Sequence, residues 1–422
     1  MIDINIVRQN PDLVKQALKN RQKDGGLLDG VIEKDNQFRK ILSEVEEIRA
    51  EQNALNRSFK GKPNEEQIET AGEIKEKLKT KEQELKEAEK QLNETLEEIP
   101  NIPADDVPIG RDDKDNVVIK TVGKPREFDF EPLDHVDLGE RLDIIDVKTA
   151  GKVSGSRFGY YKNEAALLEM ALMFWAFKKL TEKGWKGMVP PTMIKSATEW
   201  KCGYASNKNL FNAYYSIPED DLIFISSSEH SVVPYHMDQI LEEKDLPIKY
   251  VNFSPCFRRE AGTYGKDTRG LFRVHFFNKV EMNVFSLPEI EVSDKLCQEM
   301  LALEEELMQD LGIPYQVMKC CTGDLPQPNR RMFDINAWFP GQKAYRETQS
   351  CSNCTDYQAR RLNTRVKRNG KNELVHILNA TLVTDRTLLA ILENYQNTDG
   401  SVDIPKVLAP YFGKEKIEAK TK

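Results

Sequence analysis

The sequence predicts an α+β protein in which a long antiparallel helical hairpin precedes a globular domain built around an antiparallel β-sheet. Three observations predict it. Apolar residues in the first hundred positions keep the three–four spacing of a coiled-coil seam. Beyond them, short β-prone runs alternate with amphipathic helical stretches. Two of those runs, between Cys256 and Met282, flank a loop dense in cations.

The first seam is Phe38, Ile41, Val45, Ile48 and Leu55, with Gln52 filling one step. The second is Ala71, Ile74, Leu78, Leu85, Ala88, Leu92 and Ile99, interrupted at Lys81. Gly61, Pro63 and Asn64 lie between them and mark a turn. Two facing helices of about 30 residues, at a rise of 1.5 Å per residue, make an arm on the order of 45 Å long. Such an arm serves dimerisation or scaffolding, or it carries charge to a partner. Arg49, Arg57, Lys60 and Lys62 cluster towards its tip and suit phosphates, although charge on a coiled-coil surface is commonly solvation.

The Pro-, Asp- and Gly-rich stretch from Asn101 to Asn116 reads as a linker, so the expected domains are residues 1–110 and 111–422. A helix is expected from Ala166 to a stop at Gly184, and a second between Pro288 and Gly312. A third is expected over residues 380–396. Strands are expected within 221–226, 248–254, 273–285 and 313–318. No GxGxxG or GxxxxGK[ST] loop is present, so a bound nucleotide must be held by a sheet surface and its side chains.

The net charge of −8 does not mark a nucleic-acid binder, but a local basic surface can still neutralise phosphates. No run approaches the roughly 18 apolar residues that cross a bilayer, and the first residues lack the pattern of a secretory signal. A cytoplasmic location without a membrane partner is expected. The seven cysteines are too few and scattered for a disulfide framework. Cys351 and Cys354, with Cys320 and Cys321, offer four thiols for zinc, but adjacent residues seldom chelate one tetrahedral ion. Buried, reduced thiols are the expectation, and zinc is not.

Arg258, Arg259, Lys266, Arg269 and Arg273 place five cations within sixteen residues. Guanidinium groups bind phosphates in bidentate fashion, and a clamped triphosphate is how phosphoryl transition states are stabilised. Glu260 and Glu281 bracket the strip, and Phe277 could stack on a purine. A basic surface hairpin with internal salt bridges fits the spacing equally well.

The segment FRREAG…DTRGL…RVHFF…KVEM resembles motif 2 of class II aminoacyl-tRNA synthetases, in the version found in seryl-tRNA synthetases. The resemblance runs along nearly the whole chain. It includes the opening MIDINIVRQNPDLVKQAL, the junction NIPADDVPIG, and VSGSRFGYY from Val153 to Tyr161. GMVPPTMI, with Pro190 and Pro191, resembles the dimer-interface motif 1, and RETQSCSNCTDYQARR and LLAILENYQ are similarly close. The resemblance implies a class II catalytic domain and a homodimer. It also implies an N-terminal arm that grips tRNA(Ser), with tRNA(Sec) open as a second acceptor.

It implies roles residue by residue. Arg258 would bind the ATP α-phosphate and the serine carboxylate; Glu260 would read the adenine amino group, and Phe277 would stack on the ring. Arg273 and Arg386 would hold the β- and γ-phosphates, with the Val274 main chain against the nucleotide. Glu347 and Ser350 would coordinate Mg2+, and Arg259, Thr348 and Gln349 belong to the same ATP-binding strings. Glu229 and Glu281 would receive the serine ammonium, and Ser227 and Ser228 open the serine-binding tripeptide. Thr381 would contact the hydroxyl, with Asn379 close by.

Three departures from the family pattern stand out. Before Arg386, Asp385 stands where the family has a small residue and the interval from Asn379 to Arg386 is one residue short; Asn336 replaces Glu; and Ser227 replaces Thr. A catalytically silent relative that binds RNA or acts structurally is disfavoured by intact Arg258, Glu260, Glu347 and Arg386. A ligase that loads a carrier protein is disfavoured by the full arm.

Overall fold

The computed structural model describes residues 1–59, 61, 64–204, 213–260 and 270–420. Lys60, Lys62, Pro63, Lys266 and Arg269, singled out above, lie outside the described residues. The chain divides into two compact units, Met1–Ile102 and Pro103–Lys422. The division therefore precedes residue 110, where the composition had suggested it. Residues 103–110 are not a free linker but are tied into the second unit. Ala104 N–H donates to Arg330 O at 3.0 Å, and Thr322 N–H donates to Pro108 O at 2.8 Å. Asp106 pairs with Arg331 at 2.6 Å and also with Lys319.

The first unit contains α1 (Ile4–Gln9), α2 (Pro11–Asn20), α3 (Gly26–Ser58) and α4 (Glu65–Leu96). At 33 and 32 residues, α3 and α4 form the expected antiparallel hairpin, and each named seam residue is buried or half-buried. Asn64 caps α4 in a reciprocal capping box with Gln67, which explains the break read at this point. Lys81 interrupts the seam without leaving its charge alone. Its ammonium bridges Glu84 at 2.6 Å and, across the helices, Glu44 at 2.9 Å; these bonds push its pKa up to about 12. Arg8 of α1 grips the buried Asp35 of α3 through two hydrogen bonds of 2.6 and 3.0 Å.

The second unit is built on an eight-stranded sheet. In chain order its strands are β1 (Val117–Val122), β2 (Lys186–Met188), β3 (Ile248–Phe257) and β4 (Phe276–Ser286). They continue with β5 (Tyr315–Lys319), β6 (Arg331–Phe339), β7 (Ala344–Thr355) and β8 (His376–Thr384). The spatial order is β1-β5-β6-β7-β8-β4-β3-β2, antiparallel throughout except for the parallel edge pair β2–β3. Three helices cover the apolar face: α5 (Asn163–Glu182), α6 (Ile290–Asp310) and α7 (Asp385–Asn394). Leu168, Leu172 and Trp175 of α5 join Met300 and Leu307 of α6 and Leu388 and Ile391 of α7 in one core. Burying each such side chain contributes about 1.5–3 kcal/mol.

Strand periodicity separates core from site. On β4, Val280, Met282 and Val284 enter that core, while Phe277, Lys279, Glu281 and Asn283 fall on the opposite face. Residues 380–384, expected as the start of a helix, belong to β8. Thr381, Val383 and Thr384 are β-branched and buried between β4 and β7, a setting that favours extended backbone over helix. Thr384 then caps α7, its Oγ1 accepting from Arg386 N–H at 3.2 Å.

Candidate functional site

The polar face of the sheet carries a cavity of about 460 Å³. The residues given ATP- or serine-binding roles above converge on it from β4, β7, β8 and the start of α7, from the stretches just after β3 and just before β4, and from the segment Ser227–Glu229. All of them line it except Ser228, which is fully buried just behind.

One end is built on the β4–β8 pair, whose register sets Glu281 opposite Thr381 and Asn283 opposite Asn379. The Glu281 carboxylate accepts from the hydroxyls of Ser227 at 2.6 Å and Ser228 at 3.1 Å, and it pairs with Lys279. The Lys279 ammonium also donates to Ser227 Oγ at 2.8 Å. Glu229 accepts from the Tyr204 hydroxyl at 2.8 Å and from Gln358 Nε2 at 2.7 Å. Burial, and then the charge of Glu281, push the Glu229 carboxyl above its usual range. Asn379 Nδ2 is buried with no hydrogen-bond partner among the described residues, a donor left over beside the cavity. Behind Glu229, His230 Nδ1 meets Glu199 at 2.7 Å. Burial alone would lower that imidazole, but the Glu199 carboxylate outweighs it and holds the pKa above the ordinary histidine value.

The other end is a lattice of cations and carboxylates. The Arg258 guanidinium sits 5.0 Å from the centre of the Phe277 ring, and its Nε donates to Ser226 O at 3.3 Å. Arg259 lies 6.0 Å from the Tyr215 ring. Glu260 takes up a left-handed backbone conformation with φ of 52°, and its carboxylate accepts from Arg273 Nη1 at 2.9 Å. Arg386 donates to Phe272 O at 3.0 Å and to Glu347 Oε2 at 3.1 Å, with its guanidinium 4.5 Å from the Phe272 ring centre. Half of the Glu347 side chain is open to the cavity, but the surrounding protein still removes enough water to pull its carboxyl upward; Arg386, Arg258 and Arg273 together outweigh this and hold it below the usual range. Val274 and Ser350 line the cavity between these groups. The side chains of Thr348 and Gln349 are engaged elsewhere, donating to Ile335 O at 3.1 Å and Leu382 O at 2.7 Å.

The four cysteines considered for zinc have separate partners. Cys320 donates to Asp334 Oδ2 at 3.3 Å, Cys321 to Asp112 O at 3.2 Å and Cys354 to Asn329 Oδ1 at 3.4 Å. Cys351 Sγ lies 3.7 Å from Cys297 Sγ behind the sheet. His275 and His376 are likewise hydrogen-bonded, to Arg258 O at 2.8 Å and Ser293 Oγ at 3.0 Å.

Sequence reasoning missed Lys279, Tyr204 and Gln358. Lys279 carried a signal, because the strand period places it on one face with Phe277 and Glu281. Tyr204 and Gln358 carried none, since each arrives from just beyond or within a short helix (Ser196–Cys202 and Tyr357–Leu362) far away in sequence.

The seryl-tRNA synthetase N-terminal domain matches residues 1–103, and the class II tRNA synthetase core domain (G, H, P, S and T) matches residues 214–395. A serine–tRNA ligase of Dictyoglomus turgidum is 42% identical over 427 residues, covering 100% of both chains. The chain belongs to the seryl-tRNA synthetase family. A crystal structure of seryl-tRNA synthetase from Pyrococcus horikoshii complexed with ATP is 39% identical, with a TM-score of 0.92 over 100% of both chains. Cytoplasmic serine–tRNA ligase from Naegleria fowleri in complex with AMP is 33% identical, with a TM-score of 0.89 over 100% of this chain and 99% of that one. As a class II synthetase, the chain has the α+β architecture expected of it, with the antiparallel sheet and the long helical pair. Among the described residues, no helix is long and apolar enough to cross a membrane.

Proposed function

We propose that this chain activates L-serine with ATP and transfers it to tRNA(Ser) within the cavity on the β4–β8 face. The observation that carries the reading is the pairing of two buried carboxylates, Glu229 and Glu281, and a hydroxyl-bearing Thr381 with three arginines at the other end of one cavity. The first set matches a small ammonium- and hydroxyl-bearing substrate, and the second matches a triphosphate. The ATP and AMP complexes of the two solved relatives support a nucleotide at the second end.

In the first step, a serine carboxylate oxygen bonds to the α-phosphorus while the bond to the bridging oxygen breaks and pyrophosphate leaves with the electron pair. In the second, the 3′-hydroxyl of the terminal tRNA adenosine attacks the acyl carbon, AMP departs, and the hydroxyl proton passes to solvent. Activation needs no general base, because the attacking carboxylate is already ionised. The residues align it and stabilise charge at phosphorus. Arg258 holds the α-phosphate and the serine carboxylate, and Arg273 and Arg386 hold the β- and γ-phosphates. Glu260 accepts from the adenine amino group, and Phe277 stacks on the ring. Glu229 and Glu281 bind the ammonium, while Thr381 and the unpartnered amide of Asn379 meet the hydroxyl. A pocket with groups set for that hydroxyl leaves them unpaired when alanine enters, which is a strong basis for rejection.

Glu347 and Ser350 supply hard oxygen donors open to the cavity, and the arginines keep Glu347 ionised, so the pair fits Mg2+. When bound, that ion neutralises charge on the phosphates. Arg273–Glu260 and Arg386–Glu347 occupy one another in the free protein, and ATP exchanges these pairs for its own contacts.

The arm formed by α3 and α4 is assigned to tRNA(Ser), with tRNA(Sec) a second acceptor. Leu167, Met170 and Phe174, at 52, 69 and 59% exposure, form an apolar stripe on α5, with exposed Val189 and Met193 flanking Pro190 and Pro191. We assign this surface to a second copy of the chain in a cytoplasmic homodimer.

The test is serine-dependent ATP–pyrophosphate exchange, with alanine, glycine, threonine and cysteine run alongside. Exchange with serine alone is expected. Absence of exchange with every amino acid, from folded protein, would remove the assignment.

A further inference from the structure

Asp385, the first residue of α7, is 4% exposed and immediately precedes the phosphate-end Arg386. The carboxyl of Glu169 on α5 is brought beside it, both being held by one residue. Asn278 of β4 joins the two. Its side-chain amide donates to Glu169 Oε1 at 2.6 Å, and its main-chain N–H donates to Asp385 Oδ1 at 3.3 Å. Among the described residues, neither carboxyl has a Lys, Arg or His ion-pair partner. Arg386 turns instead to Phe272 O and Glu347.

Two carboxylates in contact repel, whereas a single proton between them turns the repulsion into a hydrogen bond. One remaining negative charge is also what a helix N-terminus favours. We propose that Asp385 and Glu169 share one proton, and that this pair, tied through Asn278, is a positioning device that holds the first turn of α7 on β4 and so sets Arg386 in the cavity. The inference rests on the nucleotide role assigned to Arg386 above.

Burial, and then Glu169, push the Asp385 carboxyl well above its usual range. Among the described residues, the pair is also faced by Tyr161, whose phenol has its pKa raised by burial and then by the charges of Asp385 and Glu169. Neither α5 nor β4 brings a cation to the pair. Loss of the shared proton at high pH leaves two anions in contact, parts α7 from β4 and draws Arg386 away from the phosphates.

The experiment follows kcat/KM for ATP against pH in the wild type, Asp385→Asn and Glu169→Gln, with KM for serine measured in parallel. In the wild type, kcat/KM for ATP should fall about tenfold per pH unit past a single alkaline ionisation while KM for serine holds. Both variants should lose that fall, whatever their rate at neutral pH, because an amide keeps the hydrogen bond without an ionisable proton. A second readout needs no turnover. Infrared difference spectra should show a protonated-carboxyl stretch that titrates with the same midpoint and is missing from Asp385→Asn. An alkaline fall of the same size in all three proteins, or a wild-type spectrum without that band, would overturn the proposal. Failure of serine-dependent exchange would defeat the functional assignment alone, since the infrared band still decides whether the proton is shared.

Discussion

The two ends of the cavity solve the problem of charge in opposite ways. At the amino-acid end, Glu229 and Glu281 are 3 and 2% exposed, and their oxygens are taken up by hydroxyls, an amide and the Lys279 ammonium. At the nucleotide end, the Glu347 side chain is 50% exposed, and it and Glu260 are held by the arginines that would serve the phosphates. A small ligand of fixed shape is met by a set that is already in place, so its recognition depends on geometry. A polyphosphate is met by charges kept busy with each other, so its binding is an exchange of partners. Removing one group should therefore be costly at the first end and partly self-compensating at the second.

The largest expected effect is at Glu281. In Glu281→Gln the buried Lys279 ammonium loses its counter-charge, and breaking a buried pair from one side costs about 3–5 kcal/mol. That predicts a fall of about 10³-fold in kcat/KM for serine in pyrophosphate exchange, with KM for ATP nearly unchanged. Glu260→Gln should do less. It removes a contact to adenine but also frees Arg273 for phosphate, so KM for ATP should rise only about tenfold, an effect of roughly 1.4 kcal/mol. Should Glu281→Gln weaken ATP as much as serine, or Glu260→Gln match it in size, the contrast between the two ends would break down.

Legibility in the sequence followed the same physical line. The hairpin of α3 and α4 was readable because a seam repeats its spacing, and even the misfit at Lys81 has a local cause in Glu84 and Glu44. The strands β6 and β7 differ in what they show. On β6, Phe333, Ile335, Ala337 and Phe339 enter the core and alternate with Asp334 and Asn336, a strand signal that went unread. On β7, Glu347, Ser350 and Ser352 face the cavity side and few apolar residues stand opposite them, so the alternation that signals a strand is lost there. Residues 380–384 looked helical because their strand is buried on both faces and shows no alternation either. The cations between Cys256 and Met282 announced an anion site, but their spacing did not separate a phosphate clamp from a salt-bridged hairpin. Only the family resemblance favoured the clamp, and the structure shows one salt bridge of the hairpin, Arg273 with Glu260. Tyr204 and Gln358 are brought to Glu229 by the tertiary fold and leave no trace in local sequence.

The smallest expected effect separates the two ends by pH. Glu229 has its pKa raised, so as pH falls through that value the carboxylate takes up a proton and can no longer pair with an ammonium. Glu347 has its pKa lowered and stays ionised over the same interval. Mild acidification should therefore raise KM for serine by a few-fold, towards a limit of about tenfold per pH unit, while KM for ATP stays flat. Unfolding would not mimic this. A carboxyl whose native pKa lies above its unfolded value binds its proton more readily when folded, so its contribution to stability rises as pH falls between the two values. A thermal melt recorded beside the kinetics checks the distinction. Loss of serine affinity without a matching loss of melting temperature assigns the titration to the pocket. KM values for serine and ATP that rise together would mean that the ion-paired lattice at the nucleotide end, rather than Glu229, is what acid disturbs first.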